Sequence, residues 1–204
     1  MSVLVACECS QVVTSAFLDI GIDAYSCDLQ PCYGAFPERH IQRDALEVLY
    51  SRSWDLVIAH PPCTYLSQVG YSNFFCDGVI RADRLELAIK ARDFFLSFYN
   101  YSGRICIENP VHHNLVELPP YSQIIQPYDY GEIYSKRTCL WLKGLPGLIS
   151  TLQCPKEFIK PWVYGGADSD DLSLGHNRQW RRSRFFPGVA AAMASQWRGY
   201  CSEY

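Results

Sequence analysis

The chain has 204 residues, 49% hydrophobic and 19% charged, which suffices for one packed core and excludes wholesale disorder. No apolar run approaches the roughly 18–20 residues of a membrane span. The formal net charge of −3 excludes a globally basic, histone-like nucleic-acid binder but leaves room for a local basic patch.

Ten cysteines are scattered along the chain, and no two have CxxC spacing, so neither a secreted disulfide scaffold nor a zinc site is expected. Several lie inside apolar runs, such as Cys106 in RICIE and Cys139 in TCLWL, and read as small buried hydrophobes. The N-terminal MSVLVACECSQ carries no basic segment of the kind that opens a signal peptide. A reducing, intracellular setting is expected.

Short apolar runs alternate with helical patterns over the first two thirds of the chain. Val3 to Ala6 is a buried strand. Ser10 caps a helix through Asp19, with Val13, Phe17 and Ile20 at helical spacing and Gly21 as the stop. A second strand runs from Asp23 to Ser26 and ends at Asp28. Asp44 to Tyr50 is a short helix. Asp55 to Ala59 is the clearest strand, terminated by His60-Pro61-Pro62. Residues 80–99 form an amphipathic helix with Leu87, Ala91, Phe94, Phe95 and Phe98 on one stripe, read as core packing. Arg104 to Glu108 is a strand stopped by Asn109-Pro110. Ile124 to Tyr128 and Thr138 to Leu142 are two more. From Gly144 to Phe186 proline and glycine rise, and Pro187 opens a last helix. The expected organisation is a core over residues 1–143, a small irregular insertion over 144–186 and a helix over 187–204 that returns to the core.

This alternation predicts an α/β fold with a mostly parallel central sheet and helices on both faces. Ligand sites in such sheets lie outside the carboxyl ends of the strands. CECS, Asp28, HPPC and ENP all follow strands, so four polar clusters are expected on one rim.

HPPC, residues 60–63, is the most informative of them. Two prolines make a rigid turn, and a thiol just after it is placed like a nucleophile for an electron-poor carbon. Glu108 at the next strand end supplies a carboxyl group for hydrogen bonding or proton sharing. Arg137 precedes an apolar strand that points to the same rim. The acids Glu8, Asp28 and Asp44 follow strands or open elements there, and an acid after the second strand is placed to hold a ribose hydroxyl. Arg178, Arg181, Arg182 and Arg184, interleaved with aromatic residues in HNRQWRRSRFF, suit phosphate pairing and base stacking.

Taken together, VLVACECSQVVTSAF, CDLQP, DLVIAHPPCTYLS, ICIENPV, SKRTCLWLKGLP and RRSRFFPGVAAAMASQW resemble the small DNA cytosine-5 methyltransferase-like proteins of bacteriophages and prophages. The match spans most of the chain, and the ordered pair of PPC and ENP is its specific part. The resemblance implies a Rossmann-like methyltransferase fold, S-adenosylmethionine as methyl donor, DNA as partner and the bacterial host cytoplasm as location. It implies that Cys63 is the nucleophile, that Glu108 is the Glu of a Glu-Asn-Val motif and that Arg137 is an Arg of a Gln-x-Arg-x-Arg motif, with Cys139 where the second Arg falls. Cofactor contacts are implied at Ala6, Cys7, Glu8, Asp28, Asp44, His60 and Pro61, and nucleic-acid contacts at the four Arg of residues 178–184. Ala6-Cys7-Glu8-Cys9-Ser10 stands where the family carries Phe-x-Gly-x-Gly. The insertion is short for a target-recognition domain, so short or relaxed site specificity is expected. Two further readings stay open: the same reaction on a mononucleotide or RNA, and a non-catalytic methyltransferase-like protein that binds nucleic acid in counter-defence.

Overall fold

The computed structural model describes residues 2–162 and 185–201. Its centre is a seven-stranded sheet built from Val3–Ala6 (β1), Ala24–Asp28 (β2), His40–Gln42 (β3), Leu56–Ala59 (β4), Ile105–Pro110 (β7), Gln123–Ile125 (β8) and Thr138–Lys143 (β10). The lateral order is β3-β2-β1-β4-β7-β10-β8. Only β10 runs against its neighbours; the other six strands share one direction. Two small ribbons complete the strands: the hairpin of Phe75–Cys76 (β5) and Val79–Ile80 (β6), and a parallel pair of Tyr134–Ser135 (β9) and Lys160–Pro161 (β11). The expected α/β fold with a mostly parallel sheet is present.

Strand alternation separates two cores. Val3, Val5, Leu56, Ile58, Cys106 and Leu140 face one side, where Val12–Asp19 (α1) and Pro187–Trp197 (α4) pack. Leu4, Ala6, Val57, Ala59, Ile105, Ile107 and Trp141 face the other, covered by Ala45–Ser51 (α2) and Ala82–Tyr99 (α3). Helix α4 buries Val189, Ala190, Met193, Ala194 and Trp197, a 3.6-residue stripe that lies on α1.

The structure moves several expected boundaries. Helix α1 starts at Val12, and its first turn is capped not by Ser10 but by Glu8. The buried stripe of α3 is Ala88, Phe95 and Phe98, while Leu87 turns outward at 39% exposure. Phe95 sets this phase by packing edge-on against Trp141, with ring centroids 4.9 Å apart. ENP does not stop its strand. It lies inside β7, because antiparallel β10 pairs along it as far as Pro110 opposite Thr138. The strand expected at residues 124–128 is the shorter β8, since Pro127 opens a 3-10 turn.

Helix α4 is seated by a close backbone approach. A Cβ on Gly188 would stand 2.0 Å from the Tyr130 carbonyl oxygen, and the Gly188 N–H donates to Glu132 Oε1 at 2.8 Å. Gly188→Ala is therefore expected to push α4 off its seat and to cost about 2 kcal/mol or more. Urea unfolding checks this: the midpoint falls while the slope stays near the wild-type value.

Candidate functional site

Register brings the rim clusters together. Ala6 of β1 lies beside Ala59 of β4, and Ala59 beside Ile107 of β7. One residue further along, His60 therefore stands next to Glu108. Both side chains point to the α1/α4 side, and His60 Nδ1 meets Glu108 Oε2 at 3.1 Å. Glu108 is 7% exposed. The Phe185 ring, just before α4, covers His60 at 4.8 Å between centroids.

The turn that carries Cys63 is pinned on both flanks. The His60 N–H donates to the Ala6 carbonyl at 2.9 Å, and Asn109 Nδ2 donates to the Pro61 carbonyl at 2.7 Å. The Cys63 carbonyl accepts from Leu66 N at 3.1 Å and Ser67 N at 2.9 Å, which closes the turn. Beyond it, Ser67 bridges to His112 and Gln68 N donates to Val111 O at 2.8 Å. Two prolines cannot supply backbone donors, so neighbouring strands hold the turn instead. Cys63 is half-buried at its edge.

Five other thiols, Cys7, Cys9, Cys27, Cys106 and Cys139, are held protonated. Burial pushes Cys9, Cys27 and Cys139 up to about 11, and raises Cys7 and Cys106 as well. Cys106 and Cys139 are fully buried, as expected of small hydrophobes in a sheet.

Glu108 behaves differently. Burial alone pushes its carboxyl up, but the Lys136 charge and the His60 hydrogen bond outweigh it and hold the group below the ordinary Glu range. Lys136 is the residue that sequence reasoning missed. It lies on the Glu108 side of the sheet, 5.8 Å from the Phe186 ring centroid. Arg137, the expected cation, is exposed, and its charge is felt by Cys139, which packs in the α2/α3 core. The one-residue offset follows from strand alternation, which sends neighbours to opposite faces.

The acids expected to touch a cofactor are divided. Both oxygens of Glu8 are taken by α1: Oε1 accepts from Val13 N at 2.7 Å, and Oε2 from Thr14 N at 3.2 Å and Thr14 Oγ1 at 2.7 Å. Glu8 is thus the helix cap, with a negative charge at the positive end of the helix dipole. Asp28 Oδ1 accepts from Gln30 N at 2.8 Å, and Asp44 Oδ1 accepts from Leu46 N at 2.8 Å and Glu47 N at 3.2 Å. The second oxygen of each makes no hydrogen bond among the described residues. Cys7 and Gln11 adopt left-handed backbone, with φ of 60° and 58°, where a glycine would be unstrained. Gln11 holds the loop regardless: its side chain donates to Ser26 Oγ and Phe36 O and accepts from Phe36 N. Arg178, Arg181, Arg182 and Arg184 lie outside the described residues.

Among the described residues, five buried side-chain polar atoms have no hydrogen-bond partner, and three of them cluster here: His60 Nε2, Glu108 Oε1 and Asn109 Oδ1. Further along the chain, a groove of about 430 Å³ is lined by Gln68, Tyr71, His112, His113 and Asn114. Fold and site together define a doubly wound α/β protein with an imidazole paired to a carboxylate at the carboxyl rim of its sheet and a thiol on the turn that follows the imidazole. The chain matches no protein-family model and no curated protein sequence.

Two outcomes are expected from these acids. Glu8→Gln removes the charge at the α1 N-terminus and is expected to cost about 1 kcal/mol in urea unfolding. Ionised Glu108 stabilises the fold at any pH above its unfolded value, and this contribution is lost as pH falls through its lower folded value. Glu108→Gln is therefore expected to narrow the difference in unfolding free energy between pH 7 and pH 3, and Lys136→Met to narrow it in part.

Proposed function

We propose that this protein is an S-adenosylmethionine-dependent methyltransferase acting on carbon 5 of cytosine in DNA, with short or relaxed site specificity. The observation that carries the reading is the pairing of β4 with β7, which sets the Cys63 turn beside the buried, ionised Glu108. The sheet adds support. Its order, with a single antiparallel strand next to the last position, is the arrangement expected of a class I methyltransferase.

The fit to the methyl donor is partial. Asp28 and Asp44 each keep a carboxylate oxygen at the ends of β2 and β3, suited to the hydroxyl and amino groups of an adenosine. Glu8 gives three of its acceptor positions to α1, which leaves it little for the donor. S-adenosylmethionine, when bound, supplies an electrophilic methyl group to carbon 5.

The chain's own residues carry the remaining chemistry. The Cys63 thiolate adds to carbon 6, and a Cys held by a rigid turn attacks at a fixed distance. Ring nitrogen 3 takes a proton from solvent on binding and donates it in a hydrogen bond to the Glu108 carboxylate, and the electron density released by thiolate addition neutralises that protonated nitrogen. Glu108 Oε1, which has no partner among the described residues, accepts from the exocyclic amino group. Asn109 fixes the turn through Pro61 and so fixes the thiol relative to Glu108. A duplex base must leave the stack to reach the rim. The groove lined by Gln68, Tyr71 and Asn114 offers an aromatic face and two amides as contacts for flanking nucleotides.

The committed Glu8 and the glycine-free loop favour a second reading: a methyltransferase-like protein that holds nucleic acid without methyl transfer. One experiment separates the two. Incubated with S-adenosylmethionine and DNA containing 5-fluorocytosine, wild type is expected to form an adduct that survives denaturation and maps to Cys63 by mass, while Cys63→Ser forms none. No adduct, with no heat on titration of S-adenosylmethionine, assigns the protein to the non-catalytic reading.

A further inference from the structure

The contact between His60 and Glu108 has a direction. An ionised carboxylate only accepts hydrogen bonds, so His60 Nδ1 must carry the hydrogen shared with Glu108 Oε2. In the neutral ring, Nε2 is then a bare lone pair. It is buried, and it has no partner among the described residues, so it is not spent on the Cys63 thiol or on the backbone. A buried acceptor left open is costly, which marks the atom as one with a partner to come. The arrangement is that of a base oriented by a carboxylate, with the tautomer fixed by the buried acid and the working nitrogen turned away from it.

We infer that His60 is a catalytic general base: its Nε2 takes the carbon-5 proton of the methylated cytosine adduct. The inference rests on the cytosine reading proposed above and assigns a step which that reading leaves without a residue. The balance is simple. The carbon-5 to hydrogen bond breaks and the proton passes to Nε2. The electron pair of that bond forms the double bond between carbons 5 and 6. The bond between carbon 6 and Cys63 Sγ breaks, and its pair leaves as the thiolate. His60 becomes an imidazolium whose charge is met by the Glu108 carboxylate through Nδ1.

The surroundings suit this role. Phe185 covers the ring from the α4 side. The charged group facing Glu108 from the strand β10 side is Lys136; the Cys106 and Cys139 thiols nearby are held protonated by burial. Parallel pairing of β4 with β7 fixes the His60 main chain, and the 2.9 Å bond to Ala6 O fixes it again from β1.

His60→Asn separates the two jobs of the ring, because the Asn amide replaces the Nδ1 donor and leaves no base. The adduct with 5-fluorocytosine DNA needs no loss of a carbon-5 proton, so it is expected to form in this variant within about 3-fold of the wild-type rate. Release of tritium from DNA carrying 5-tritiated cytosine, measured during methyl transfer, is expected to fall by about 100-fold or more. Nitrogen-15 spectra of the wild-type ring, read without substrate, are expected to show the Nδ1–H tautomer. Normal tritium release by the variant overturns the assignment while leaving the Cys63 chemistry intact. Joint loss of adduct and release makes His60 structural and overturns it too. So does a ring protonated on Nε2, a result that does not depend on the variant folding. A wild type that forms no adduct overturns the cytosine reading itself and this step with it.

Discussion

A carboxylate taken out of water must find charge and hydrogen bonds or give up its ionisation. Glu108 finds both, in Lys136 and His60, and much of the rim is arranged around that fact. The His60 ring is held by the carboxylate, and the His60 backbone is held by Ala6. Asn109, the next residue after Glu108, holds the Pro61 carbonyl. The Cys63 turn is thus suspended between β1 and β7 rather than left as a loop. Without the Glu108 partners, the buried charge would be unpaired, and the His60 ring would lose the group that orients it.

The first loop answers a different problem. Glycines are the low-strain residues where a chain turns sharply at the carboxyl end of a strand. Here Cys7 and Gln11 take the left-handed conformation instead, at a cost of the order of 1 kcal/mol each. The three side-chain hydrogen bonds of Gln11 and the three accepted by Glu8 offset that strain. The same bonds spend three of the Glu8 carboxylate's acceptor positions on α1. The acid replaces a capping serine as well as a glycine turn, and α1 stands on it.

How much of this was legible depends on range. Val3–Ala6 and Leu56–Ala59 were legible because buried parallel strands are continuous apolar runs, and their carboxyl ends marked the rim. The His40–Gln42 strand was not, being three residues long and half polar. The His60–Glu108 contact was hidden because it depends on the lateral order of strands 48 residues apart, which a linear pattern does not encode. Lys136 lost to Arg137 for a related reason: nothing local says which of two adjacent cations shares a face with Glu108 until the phase of β10 is known. The capping role of Glu8 is not legible because it requires Gln11 to be left-handed, and no composition rule announces that. The Cys63 turn was the most legible feature, since two prolines and a thiol after an apolar strand are a local signal.

The last helix ties the core to the chemistry. Trp197 and Met193 bury α4 against α1, and the residues just before it, Phe185 and Phe186, reach the site. Phe185 covers His60, while Phe186 lies near Lys136 and packs on Trp162 at 4.9 Å between ring centroids. Trp162 packs in turn on Tyr134 at 4.7 Å. Trp162 and Phe186 thus meet on the Glu108 side of the sheet. Seating of α4 through Gly188 and covering of the His60 ring are then one structural event. A change that loosens the helix also exposes the imidazole and the carboxylate to water, where their interaction weakens by the ratio of the two dielectric environments. Core packing and the surroundings of His60 and Glu108 are coupled through two adjacent phenylalanines.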